Sequence, residues 1–130
     1  METEEMETEE KVKMVVIVDD DESMRNALQG LMKEVGLAAR AFASAEEFLN
    51  FPHPQQIGCV IADIRMPGMS GLELQARLKA GHCNIPIIFI TGHGDEKMRL
   101  QALRAGAVEF LSKPFDDEIL LESVRAAINN

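Results

Sequence analysis

The sequence predicts an α/β domain built on a doubly wound parallel sheet, and three observations carry that prediction. A short apolar run followed by a stretch of helical periodicity recurs five times along the chain. The runs Cys59–Ala62 and Ile85–Ile90 are apolar without alternation, as strands covered on both faces require. Polar and acidic residues stand directly after the runs, at the edge where open parallel sheets bind ligands. Right-handed crossovers then favour a sheet with helices on both faces, since a closed barrel needs about eight such units.

The first unit is the β-branched run Lys13–Val18, followed by Asp19, Asp20 and Asp21. Met24, Ala27, Leu28, Leu31, Met32 and Val35 then recur at helical spacing, and Gly36 stops the pattern. Ala38–Ala43 is a weak second strand, after which Ser44 and Glu47 read as a capping box for a short helix ending before Pro52. Cys59–Ala62 is the third strand, delivering Asp63 to its tip. Pro67, Gly68 and Gly71 mark the loop beyond it, and Ser70 with Glu73 opens a helix that buries Leu74 and Leu78 and stops at Gly81. Ile85–Ile90 is the fourth strand, Thr91–Gly94 a flexible loop, and Asp95–Ala105 a helix with Met98, Ala102 and Ala105 inward. Ala107–Leu111 is the fifth strand, and Asp116 caps a last helix carrying Leu120, Val124, Ala127 and Ile128 on one face.

At 130 residues, with 46% apolar and 27% charged residues, the chain suits one domain. Met1–Glu10 holds six glutamates and accounts for −6 of the net −9, so −3 remains for the rest. That segment, METEEMETEE, predicts a disordered acidic tail over 1–10 ahead of a folded domain over 11–130. No cluster of lysines or arginines and no aromatic platform suits a phosphate backbone, so direct nucleic-acid binding is not expected. No apolar run approaches the roughly 18 residues a membrane span needs, and the acidic start is unlike a signal peptide, which makes a cytoplasmic location the expectation. Cys59 and Cys83 form neither a disulfide framework nor a metal-ligand spacing.

In such a sheet Asp19, Asp20, Asp63, Thr91 and Lys113 converge on one edge. Three carboxylates crowded together repel and raise one another's pKa unless a cation stands among them. Mg2+ suits the cluster, because it takes one or two protein carboxylates, keeps several waters and shares its remaining positions with phosphate. Lys113 can neutralise a phosphoryl group as a point charge, and the Thr91 hydroxyl can donate to its oxygens. Asp21 is assigned to capping the first helix, and Phe110 alone would read as a core aromatic.

The segments VDDDESMR at 18–25, DIRMPGMSG at 63–71, TGHGD at 91–95 and FLSKPF at 110–115 resemble the receiver domain of two-component response regulators. The wording of the second and third is similar to the FixJ-type branch. The resemblance implies a flavodoxin-like doubly wound five-stranded sheet of order 2-1-3-4-5 with five helices. It implies that Asp63 accepts a phosphoryl group from the phosphohistidine of a sensor histidine kinase. Asp20, Asp63 and the backbone carbonyl of Arg65 would bind Mg2+, and Asp19 would help through water. Thr91 and Phe110 match the switch pair, Lys113 the phosphate-contacting lysine, and Pro114 follows it through a cis bond. Arg65 and His93 stand where the family tunes dephosphorylation.

The resemblance further implies a phosphorylation-dependent homodimer through the fourth helix, fifth strand and fifth helix, and a C-terminal DNA-binding domain beyond this chain. Such a receiver is not an enzyme on external substrates; it catalyses its own phosphorylation and slow dephosphorylation. Two other readings compete. An aspartate-nucleophile phosphatase would place nucleophile and general acid two residues apart on the first strand and add a cap domain. An interaction module that never takes phosphate would be expected to lack one of the acids, the threonine or the lysine, and here all are present.

Overall fold

The computed structural model describes residues 13–52, 56–92 and 94–129. Among them five parallel strands, β1 (Met14–Val18), β2 (Ala39–Phe42), β3 (Ile57–Ala62), β4 (Ile87–Thr91) and β5 (Glu109–Ser112), alternate with five helices. These are α1 (Glu22–Glu34), α2 (Ala45–Leu49), α3 (Gly71–Ala80), α4 (Glu96–Arg104) and α5 (Asp117–Asn129). The strands lie in the order β2-β1-β3-β4-β5, so the winding reverses between β1 and β3. The acidic tail predicted over 1–10 and His93 lie outside the described residues.

Strand geometry explains the missing alternation. Successive side chains leave a strand on opposite faces, and both faces of this sheet are covered. Val16, Val18, Val60, Ala62 and Phe89 point into one core with Phe48 of α2, Leu74 of α3 and Ala102 of α4. Val15, Ile17, Cys59, Ile61, Ile88 and Ile90 point into the other, with Leu28 and Met32 of α1 and Leu120 and Val124 of α5.

The helix starts are built by side chains. Asp21 accepts the Ser23 and Met24 N–H groups at 2.9 and 3.3 Å, and Asp116 accepts those of Glu118 and Ile119 at 2.8 and 3.3 Å. Ser70 and Glu73 form the reciprocal box, with bonds of 3.1 and 3.0 Å. At α2 the expected box is incomplete. The Glu47 N–H donates to Ser44 Oγ, but the Glu47 carboxylate reaches past the cap to the Ala43 N–H at 3.2 Å.

Strand boundaries also differ from expectation. β4 starts at Ile87 because Pro86 has no N–H for the ladder, and it runs on to include Thr91, which is buried rather than placed in a loop. β5 starts at Glu109 because the Ala107 N–H turns back to the Ala102 carbonyl at 3.0 Å and, with Gly106 at φ 106°, closes the end of α4. Ala105 is the cap of that helix and partly exposed, not a core residue.

Candidate functional site

Register sets the site. Val18 pairs with Ala62 across β1 and β3, so Asp19 and Asp63 leave neighbouring strands at one level, and the Asp63 N–H donates to the Val18 carbonyl at 3.0 Å. Thr91 pairs with Ser112 across β4 and β5, and the Lys113 N–H donates to the Thr91 carbonyl at 2.9 Å. The Lys113–Pro114 bond is cis. From there the ammonium of Lys113 reaches Asp63 Oδ2 at 3.0 Å and Asp19 Oδ2 at 3.3 Å.

Asp19 is 2% exposed and Asp63 8%, whereas Asp20 faces solvent. Burial pushes the Asp19 carboxyl above the usual carboxylate range, against the opposing pull of the Asp21 N–H and of Lys113. Burial works against the Lys113 ammonium too, but the hydrogen bond it donates to Asp63 and the charges of Asp19 and Asp63 outweigh it and hold its pKa above the ordinary value.

The loop after Asp63 folds back on it. The Arg65 N–H donates to Asp63 Oδ1 at 3.2 Å, and the Gly71 N–H to the Ile64 carbonyl at 2.8 Å. The Arg65 side chain is exposed. Thr91 is 1% exposed, and the Phe110 ring is buried 6.4 Å from the ring of Phe89. Gly94 lies directly against both Thr91 and Phe110.

A family model described as the response regulator receiver domain matches residues 15–125. The chain belongs to the response regulator receiver family. It is 50% identical over 121 residues to nodulation protein W of Bradyrhizobium diazoefficiens, covering 92% of this chain and 53% of that protein. It is 42% identical over 114 residues to the transcriptional regulatory protein FixJ of Azorhizobium caulinodans, covering 88% and 54%. The receiver thus spans about half the length of these curated relatives. Its backbone is similar to the crystal structure of FixJ-N, with a TM-score of 0.83 at 42% identity over 91% of this chain and 94% of that one. No helix among the described residues is long and apolar enough to cross a membrane.

The receiver's acids fit a hard divalent cation. One carboxylate oxygen from each of Asp19, Asp20 and Asp63 lies within 4.8 Å of the others, all three donors are oxygens, and the Asp20 side opens to water. Three residues that shape this edge escape a sequence reading. Gly71 admits the Asp63 carbonyl where a Cβ would collide with it, and Gly94 does the same for Thr91 and Phe110. Arg25, which looks like a surface residue of α1, donates from Nη1 to the Asp19 carbonyl at 2.8 Å. The glycine in each motif was visible, but its reason lies in how closely the folded loop returns to the strand tip.

Proposed function

We propose that this receiver takes a phosphoryl group from the phosphohistidine of a sensor histidine kinase onto Asp63. The observation that carries the reading is the double contact of Lys113 with Asp63 and Asp19 beside an open cluster of three carboxylates. A carboxylate oxygen of Asp63 attacks phosphorus, the P–N bond breaks, and its electron pair leaves with the imidazole. Lys113 then trades part of its contact with the carboxylates for the phosphoryl oxygens, and the Thr91 hydroxyl donates to them. Asp20, Asp63 and the Arg65 carbonyl are the groups that would hold Mg2+, with Asp19 acting through water. The ion supplies charge neutralisation for the transferring group.

Thr91 and Phe110 would carry the change to the face of α4, β5 and α5. Leu100, Val108 and Ile119 are large apolar side chains exposed there, at 39, 42 and 46%. That exposure supports a phosphorylation-dependent homodimer through this face. In a full-length protein of this kind the dimer would act on a DNA-binding output domain, in keeping with the transcriptional role of FixJ. Arg65 and His93 would flank the path of the hydrolytic water and lengthen the life of the aspartyl phosphate; their joint replacement by alanine should speed its decay.

Intact-mass measurement after incubation with acetyl phosphate and Mg2+ tests the reading. One phosphoryl group is expected, lost in Asp63→Asn and on chelation of the metal. Undiminished labelling of Asp63→Asn, or of the parent without Mg2+, would refute it.

A further inference from the structure

Every polar group of Asp19 is engaged. Its N–H donates to the Phe42 carbonyl at 3.2 Å, Oδ1 accepts the Asp21 N–H at 2.9 Å, and Oδ2 accepts Lys113 Nζ at 3.3 Å. Its carbonyl takes the fourth bond, the 2.8 Å contact from Arg25. A carbonyl lies in the plane of the peptide that joins its residue to the next. A guanidinium fixed on the Asp19 carbonyl therefore fixes the plane from which Asp20 departs.

Arg25 is also oddly placed for its own helix. It is the fourth residue of α1, close to the end where the helix dipole favours anions, and it is half-buried. Helix stability alone gives no reason for a cation there. The acids that precede α1 do, since the side chain turns back over the helix start to the loop that bears them.

We propose that Arg25 is a positioning residue for the cation site: clamped on the Asp19 carbonyl, it presents Asp20 to Mg2+. The inference rests on the reading that Asp20 and Asp63 hold that ion. Its sign is distinctive. A guanidinium acting only through its charge repels a cation, so its removal would tighten Mg2+ binding. A guanidinium acting as a clamp pre-orders a ligand, so its removal weakens binding. Partners that orient metal ligands are commonly worth about 10- to 100-fold in affinity, and this half-exposed one belongs at the lower end.

The test is calorimetric titration of the folded chain with Mg2+ alone, because a sequence without tryptophan or tyrosine gives no useful intrinsic fluorescence signal. Arg25→Gln should bind Mg2+ about tenfold more weakly than the parent. Arg25→Lys, whose ammonium can donate to the same carbonyl, should recover part of the loss. Binding as tight as the parent's or tighter would overturn the clamp. A variant with a lowered thermal midpoint but an unchanged Mg2+ affinity would show that Arg25 serves α1 alone. Asp20→Asn is measured alongside: if the parent binds no Mg2+, or Asp20→Asn binds it equally well, the metal reading itself falls, and this inference with it.

Discussion

Lys113 Nζ lies 3.0 Å from Oδ2 of Asp63, a residue 50 positions away in sequence, and the same ammonium neutralises Asp19. Without a cation at the site, this lysine is the charge that makes two adjacent buried carboxylates tolerable. Lys113→Met should therefore cost stability in metal-free buffer. Breaking a fully buried pair costs about 3–5 kcal/mol, and the 21% exposure of the lysine side chain reduces the expectation to about 1–3 kcal/mol. Mg2+ should then stabilise the variant more than the parent, because it supplies charge the variant lacks. Urea unfolding with and without Mg2+ measures both. Equal midpoints without metal would remove this account of Lys113.

Two glycines should respond in opposite directions to the same substitution. A Cβ on Gly71 would collide with the Asp63 carbonyl and stand 3.0 Å from both Ile64 Cα and Phe89 Cε1. Two of those neighbours are backbone and cannot swing aside, so Gly71→Ala should cost at least about 2 kcal/mol and displace the loop beside Asp63. Gly30, exposed in the middle of α1, has nothing within 4 Å of its Cβ position. Gly30→Ala should raise stability by about 0.5–1 kcal/mol. Thermal unfolding of the two variants gives the comparison, and a neutral Gly71→Ala would mean that α3 starts with more slack than the structure has.

The contrast also shows what the sequence could carry. Asp19, Asp20, Asp63 and Lys113 were legible because strand runs and short motifs fix which residues reach the carboxyl edge of a parallel sheet, and order along the chain then fixes their meeting. The ends of β4 and β5 were not legible. Apolar character continues through Ile85 and Ala107, but Pro86 lacks a donor and the Ala107 N–H is spent on closing α4. Glu47 was readable as a capping residue, yet which N–H it accepts depends on backbone direction before the cap. Gly94, Gly71 and Arg25 fail for one common reason: each is defined by a contact with a group that only the folded chain brings near.

The two cysteines should separate cleanly by chemistry. Cys59 lies between Val15 and the apolar side chains of α5 in one core, and burial pushes its thiol from 9.0 up to about 12. Cys83 is half-exposed at the end of α3. A maleimide at neutral pH should modify Cys83 in the native chain and reach Cys59 only after unfolding. The raised thiol also has a linkage consequence. The folded state keeps its proton longer than the unfolded state, so its contribution is intact below about pH 9 and is lost progressively as the pH rises toward 12. Between pH 9 and 10 the parent should lose roughly 1 kcal/mol more than Cys59→Ala, following 1.36 kcal/mol per pKa unit. Parallel stability profiles for the two chains over that interval would contradict this.

Gly94 offers a way to disturb the proposed switch pair, Thr91 and Phe110, without touching the carboxylates. An added Cβ there would stand 2.6 Å from Thr91 Cγ2 and 2.7 Å from Phe110 Cζ; the β-branched Thr91 is buried in β4, so the far end of the Phe110 ring is the contact that can give way. The Phe110 ring is buried in this structure, so Gly94→Ala acts against the inward ring and favours a conformer in which it has turned out. If the inward ring accompanies the dimer-forming state, relief of a clash of about 1–3 kcal/mol weakens that state by roughly 5- to 150-fold. Gly94→Ala should then still be labelled at Asp63, yet dimerise less than the parent when the stable phosphate mimic beryllofluoride is added with Mg2+. Gly92→Ala is the matched control in the same loop, since its Cβ would meet only Lys113 Cδ at an ordinary 3.8 Å. Sedimentation of parent and both variants, with and without the mimic, reads the outcome. Equal dimerisation of Gly94→Ala and the parent would uncouple Phe110 from the α4–β5–α5 face, whatever the chemistry at Asp63.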